Sequence, residues 1–97
     1  MIAALLLALQ AVTSATACHD LIETDPAAAR AAADRWRLAG GGIAALQCAG
    51  LAEAAQQRWQ PAATAFEEAA RAAEIAHDTD AATYWAQAGN AWLAAGG

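Results

Sequence analysis

Cys18, His19, Cys48, His77, Asp78 and Asp80 are the residues of this 97-residue chain whose types and placement raise the question of a metal or nucleophile site. A thiolate beside an imidazole is a nucleophile pair, and cysteine, histidine and carboxylate ligands hold zinc. Structural zinc needs its ligands in pairs at fixed separations. Cys18 and His19 are adjacent, and Cys48 and His77 each stand apart from any other cysteine or histidine, so no metal site is expected. A nucleophilic cysteine needs a base oriented by a scaffold, and Cys18 sits just behind an apolar leader with none in view. His77-Asp78-Thr79-Asp80 reads more simply as a polar break before a helix. Glu67-Glu68 reads as a solvated helix face. Phosphate-loop and nucleophile-elbow motifs are absent from the sequence. No catalytic residue and no cofactor is expected, and the chain is not expected to be an enzyme.

The two cysteines have another use. The sequence begins MIAALLLALQAVTSATACHD, an apolar run followed by small polar residues and then Ala15-Thr16-Ala17. That is the form of a secretory signal peptide with an A-x-A cleavage site, so residues 1–17 are expected to be removed. The run is too short to span a bilayer, which takes about 20 apolar residues. No lysine or arginine precedes Arg30, so the terminal amine alone supplies positive charge ahead of the run. A buried N-terminal helix is the competing reading. Export places the protein in a periplasmic or extracellular compartment, where two cysteines read first as one disulfide. A Cys18–Cys48 bond would close a loop of about 30 residues and stabilise by about 3 kcal/mol on the chain-entropy model. Free thiols are the alternative. Ala15-Thr16-Ala17-Cys18 also resembles a degenerate lipobox, which would place a lipid anchor on Cys18 and exclude the disulfide.

The composition says what must position these residues. Hydrophobic residues make up 59% of the chain but aromatic ones only 6%, because alanine supplies about a third. Alanine has the best helix propensity and β-branched residues are scarce, so the expectation is all-α. An alanine core is thin, so close helix approach and a few anchors must carry the packing: Trp36, Trp59, Phe66, Trp85 and Trp92. The net charge of −5 comes without a single lysine. That argues against nucleic acid or an anionic membrane surface as partner.

Punctuation divides residues 18–97 into about four helices. Asp25 as N-cap and Pro26 at the first helical position open one over about 26–39, which Gly40-Gly41-Gly42 stops. The next runs over about 43–58, with Ile43, Leu46, Gly50 and Ala54 on one stripe. Trp59-Gln60-Pro61 breaks the chain, with Pro61 suited to open a third over about 61–76. That helix puts Ala62, Phe66, Ala69 and Ala73 on one face and an i,i+4 pair of Glu67 and Arg71 on the other. The last, about 81–95, carries Trp85, Ala88, Gly89 and Trp92 on one stripe, expected to pack inward on the helix bearing Phe66.

These segments repeat a pattern. Trp85-x2-Ala88-Gly89-x2-Trp92 resembles the W-x2-L-G-x2-Y pattern of tetratricopeptide helix A. Leu46-x2-Ala49-Gly50 occupies the matching positions one unit earlier, with Glu53 where the aromatic would stand. Ala62-x3-Phe66-x2-Ala69 resembles the helix B pattern, at the expected distance from Gly50. The resemblance covers about residues 43–95. Gly50 and Gly89 lie 39 positions apart, where the motif has 34, so the surplus falls around residues 74–80. It implies a short array of antiparallel helical hairpins, with Gly50, Ala62, Phe66, Ala69, Trp85, Gly89 and Trp92 packing the repeats.

The resemblance also implies a groove lined by helix A that takes an extended peptide. Here it would draw on Gln47, Glu53, Gln57, Gln87 and Asn90, without the basic clamp of some relatives. The function expected is an exported, non-catalytic protein–protein interaction module. The competing expectation is an assembly subunit that self-associates through the open edge of its last helix.

Overall fold

The computed structural model of the chain describes residues 11–96, and they form five α-helices with no strand among them. The helices are α1 (Ala15–Thr24), α2 (Pro26–Leu38), α3 (Gly42–Ala55), α4 (Trp59–Ile75) and α5 (Ala81–Ala94). The apolar run at residues 2–9 lies outside the described residues.

Four helices were expected, and α1 is the correction. Its inward stripe is Cys18, Leu21 and Ile22, a three- and four-residue spacing that was legible but short, and it sat where a leader was expected to end. Ser14 in extended conformation caps it, its Oγ accepting from Ala17 N at 3.1 Å. Val12, just before the cap, is 5% exposed and belongs to the same cluster as Cys18. The expected cleavage point after Ala17 therefore falls inside α1. In the unprocessed chain Ser14→Ala should cost about 1 kcal/mol, read as a lower urea midpoint at unchanged slope. An unchanged midpoint would mean that α1 is held without its cap.

Asp25 serves two helices at once. Its N–H closes α1 on Leu21 O at 2.7 Å, and its Oδ1 accepts from Ala28 N at 3.0 Å to open α2 ahead of Pro26. Gly40 and Gly42 take positive φ, as the stop predicted. Gly41 lies on the Trp36 ring, where a Cβ would come within 2.5 Å of it.

Two boundaries move. Helix α3 ends at Ala55 rather than near 58, because Gln57 turns left-handed and Arg58 N donates back to Glu53 O at 3.0 Å. Helix α4 starts at Trp59, which puts Pro61 third rather than first; it is still in the opening turn, whose N–H groups have no intrahelical partner.

Consecutive helices pack on one another, and α1 also reaches α3. Alanine dominates the three core clusters, around the cysteines, around Leu46 and Tyr84, and around Phe66. The close approach that such a core needs is visible at Gly50, where a Cβ would sit 2.5 Å from the Phe66 ring. Helix α3 is buried over most of its circumference, as its neighbours α1, α2 and α4 require.

Candidate functional site

Cys18 on α1 and Cys48 on α3 stand at bonding distance, Sγ to Sγ 2.08 Å, and both are buried, at 1% and 2% exposure. The pair sits among Val12, Ala32, Ala33, Ala49 and Ala65, shielded from solvent reductants. A sulfur in that bond carries no lipid, so the disulfide displaces the lipid-anchor alternative. His19 is exposed on α1 and His77 is exposed, with φ 56°, in the turn between α4 and α5. Among the described residues no three His, Cys, Asp or Glu side chains group as a metal site would require.

The expected groove residues separate. Gln47 on α3 and Gln87 on α5 meet, Nε2 donating to Oε1 at 3.2 Å. Between α3 and α5 lies a wedge of about 330 Å³. Its sides are Leu51 and Ala54 of α3 and Gln87, Asn90, Ala91 and Ala94 of α5; its floor is Trp59 and Phe66 of α4. Gln47, Gln87 and Asn90 thus belong to one surface. Gln57 does not line the wedge: it is exposed in the α3–α4 turn.

Glu53 is the clearest departure. It was expected on the groove, but it is 4% exposed and accepts from Arg58 Nε at 3.2 Å, with Arg30 Nε at 3.6 Å. A buried carboxylate must be paired, and two arginines from either side supply the charge. Glu53, expected from the sequence to line a groove, is instead a buried polar residue of α3.

The tryptophans were expected inward and are only half so. The buried side of α5 is Tyr84, Ala88 and Ala91, while Trp85 and Trp92 remain 37% and 38% exposed. Each indole lies at the α4–α5 seam with its N–H donating to a carboxylate, Trp85 to Glu74 and Trp92 to Glu67 at 3.1 Å. An indole N–H needs an acceptor when buried, and at the seam it finds one without leaving water. Arg71 lies over the Trp85 ring, 5.7 Å from its centroid. Glu67 therefore pairs with Trp92 rather than Arg71, and Glu68 with Arg37 at 3.3 Å, so neither is the plain solvated face expected. Gly89 is also corrected. It is exposed and an added Cβ would meet nothing within 4 Å, so it allows no close approach inside the fold.

Tyr84 has its phenol pKa raised above the ordinary 10.0, first by burial and then by the carboxylates of Asp80 and Asp78. The folded chain holds that proton more tightly than the unfolded one. Its contribution to stability is complete below pH 10 and is lost as pH rises through the raised value. The melting temperature should therefore fall more steeply above pH 10 for the parent chain than for Tyr84→Phe; parallel curves would contradict it.

The fold is that of an all-α protein. Comparison with protein-family models, with curated proteins and with solved structures finds no match. Sequence reasoning missed the Arg30–Glu53–Arg58 cluster, since nothing in an alanine-rich helix marks which charged residue faces inward.

Proposed function

We propose that this chain is a small exported interaction module on a tetratricopeptide-like scaffold, binding an extended protein segment without catalysing a reaction. The observation that carries this reading is the wedge between α3 and α5. Its lining is apolar at Leu51, Trp59 and Phe66, small at Ala54, Ala91 and Ala94, and carries the amides of Gln87 and Asn90. Such a surface can take an alternating apolar and polar strand of peptide, the amides supplying backbone hydrogen bonds. The hairpin succession of α1–α2 and α3–α4, followed by α5, supports the scaffold reading, as does the contact of Gly50 with Phe66. The buried cysteine pair supports an oxidising compartment.

The test uses the disulfide-intact protein immobilised against extract from its own source, beside the exposed-wall variants Asn90→Arg and Ala94→Arg. A protein retained by the parent and lost with both variants, and displaced by a peptide from that protein, is the expected result. Retention that is indifferent to both variants would remove the wedge from the reading.

A further inference from the structure

The α4–α5 seam repeats one arrangement of side chains, and the fold fills only one of the two with its own arginine. In the first unit the Trp85 indole N–H donates to Glu74, and the Arg71 guanidinium lies 5.7 Å from the centre of the same ring. Seven residues earlier on α4 and seven later on α5 stand Thr64, Glu67 and Trp92. Antiparallel neighbours bring those positions together in the same order, and the Trp92 indole N–H donates to Glu67 at 3.1 Å. Seven residues are about two turns, roughly 10 Å along a helix. The second unit is therefore the first moved along the seam. One part differs: Thr64 stands where the first unit has Arg71. Its short neutral side chain brings no charge to the ring. Among the described arginines only Arg71 lies over an indole, and both rings reach solvent.

We infer that Trp92 and Glu67 receive the guanidinium of an arginine side chain carried by a partner protein. The first unit identifies the occupant, because there the same pairing of indole and carboxylate holds a guanidinium from within the chain. A guanidinium stacks on an aromatic face and is more weakly hydrated than an ammonium. The carboxylate beside the ring adds a charged acceptor for its N–H groups. The whole chain favours the same kind of partner, since its net charge of −5 draws a basic surface toward it. The site is separate from the wedge, which neither Trp92 nor Glu67 lines. One stacked ion pair on a surface is weak, so a lone arginine should bind with a Kd on the order of 10 mM. On a partner it fixes register and charge rather than supplying the whole affinity.

Nuclear magnetic resonance of the indole N–H groups tests this, in the disulfide-intact chain titrated with N-acetyl-arginine amide. The Trp92 signal should shift and saturate. N-acetyl-citrulline amide, similar in shape but uncharged, should leave it in place. Trp85 should stay still in the parent, because Arg71 holds its ring. Arg71→Thr writes the Thr64 arrangement into the first unit, so Trp85 should then respond as Trp92 does. Glu67→Gln keeps an acceptor for the indole and removes the charge. It should weaken the Trp92 response by about threefold or more at unchanged helicity. A silent Trp92, equal responses to both compounds, a Trp92 response indifferent to Glu67→Gln, or a Trp85 that behaves alike with and without Arg71 would each overturn the inference.

Discussion

Phe66→Ala should lower stability by about 3 kcal/mol or more, within the range of 3–5 for large aromatic truncations in a core. Phe66 is the chain's only phenylalanine and is 3% exposed, set among Ala62, Ala63, Ala88 and Ala91 with Leu51 and Ala54 at its edge. Alanines cannot reach into the space left by a ring, so the cavity would collapse little. For a domain of this size each kcal/mol moves the melting temperature by about 4–8 °C, so the loss should exceed about 12 °C. A coupled pair makes the prediction specific. Gly50→Ala alone should destabilise by about 1–3 kcal/mol, because its Cβ must displace a packed ring. In the Phe66→Ala background the same change should become stabilising, by roughly the helix-propensity difference of about 1 kcal/mol. Urea unfolding of the four chains gives the coupling energy. Additive effects would mean that the ring and Gly50 do not meet.

Breaking the Cys18–Cys48 bond has a comparable effect with a different location. The bonded cysteines are 30 residues apart, and on the chain-entropy model a loop of that size contributes about 3 kcal/mol or slightly more. The loss should concentrate in α1. That helix is ten residues long, below the length that is stable alone in water, and without the bond it keeps Ala17, Leu21 and Ile22 as its packing. Hydrogen exchange on a Cys18→Ala, Cys48→Ala chain should show residues 15–24 losing protection while α4 and α5 keep theirs. Uniform loss across all five helices would show instead that α1 is an integral part of the cooperative unit. Because both sulfurs are buried, reduction of the parent should be slow and should track opening of α1 rather than reductant concentration.

The sequence by itself determined the helical class and most of the helix ends. Alanine abundance left no competing strand, and Asp25-Pro26, the glycine triplet and His77-Asp78-Thr79-Asp80 punctuate the chain through backbone chemistry that acts locally. It also offered the Cys18–Cys48 pairing beside free thiols and a lipidated Cys18, and put Gly50 and Phe66 each on the packing stripe of its own helix, because these readings rest on composition and spacing. Only the tertiary structure decided which side of each helix is inward. Apolar periodicity locates a buried face by contrast, and alanine on every side removes that contrast. Glu53 was therefore read as a rim residue although two arginines hold it in the interior. Trp85 and Trp92 were read as core although their N–H groups draw them to carboxylates at the α4–α5 seam. The wedge between α3 and α5 is lined by side chains from Leu51 to Ala94 on three helices, a long-range arrangement that no local residue pattern encodes.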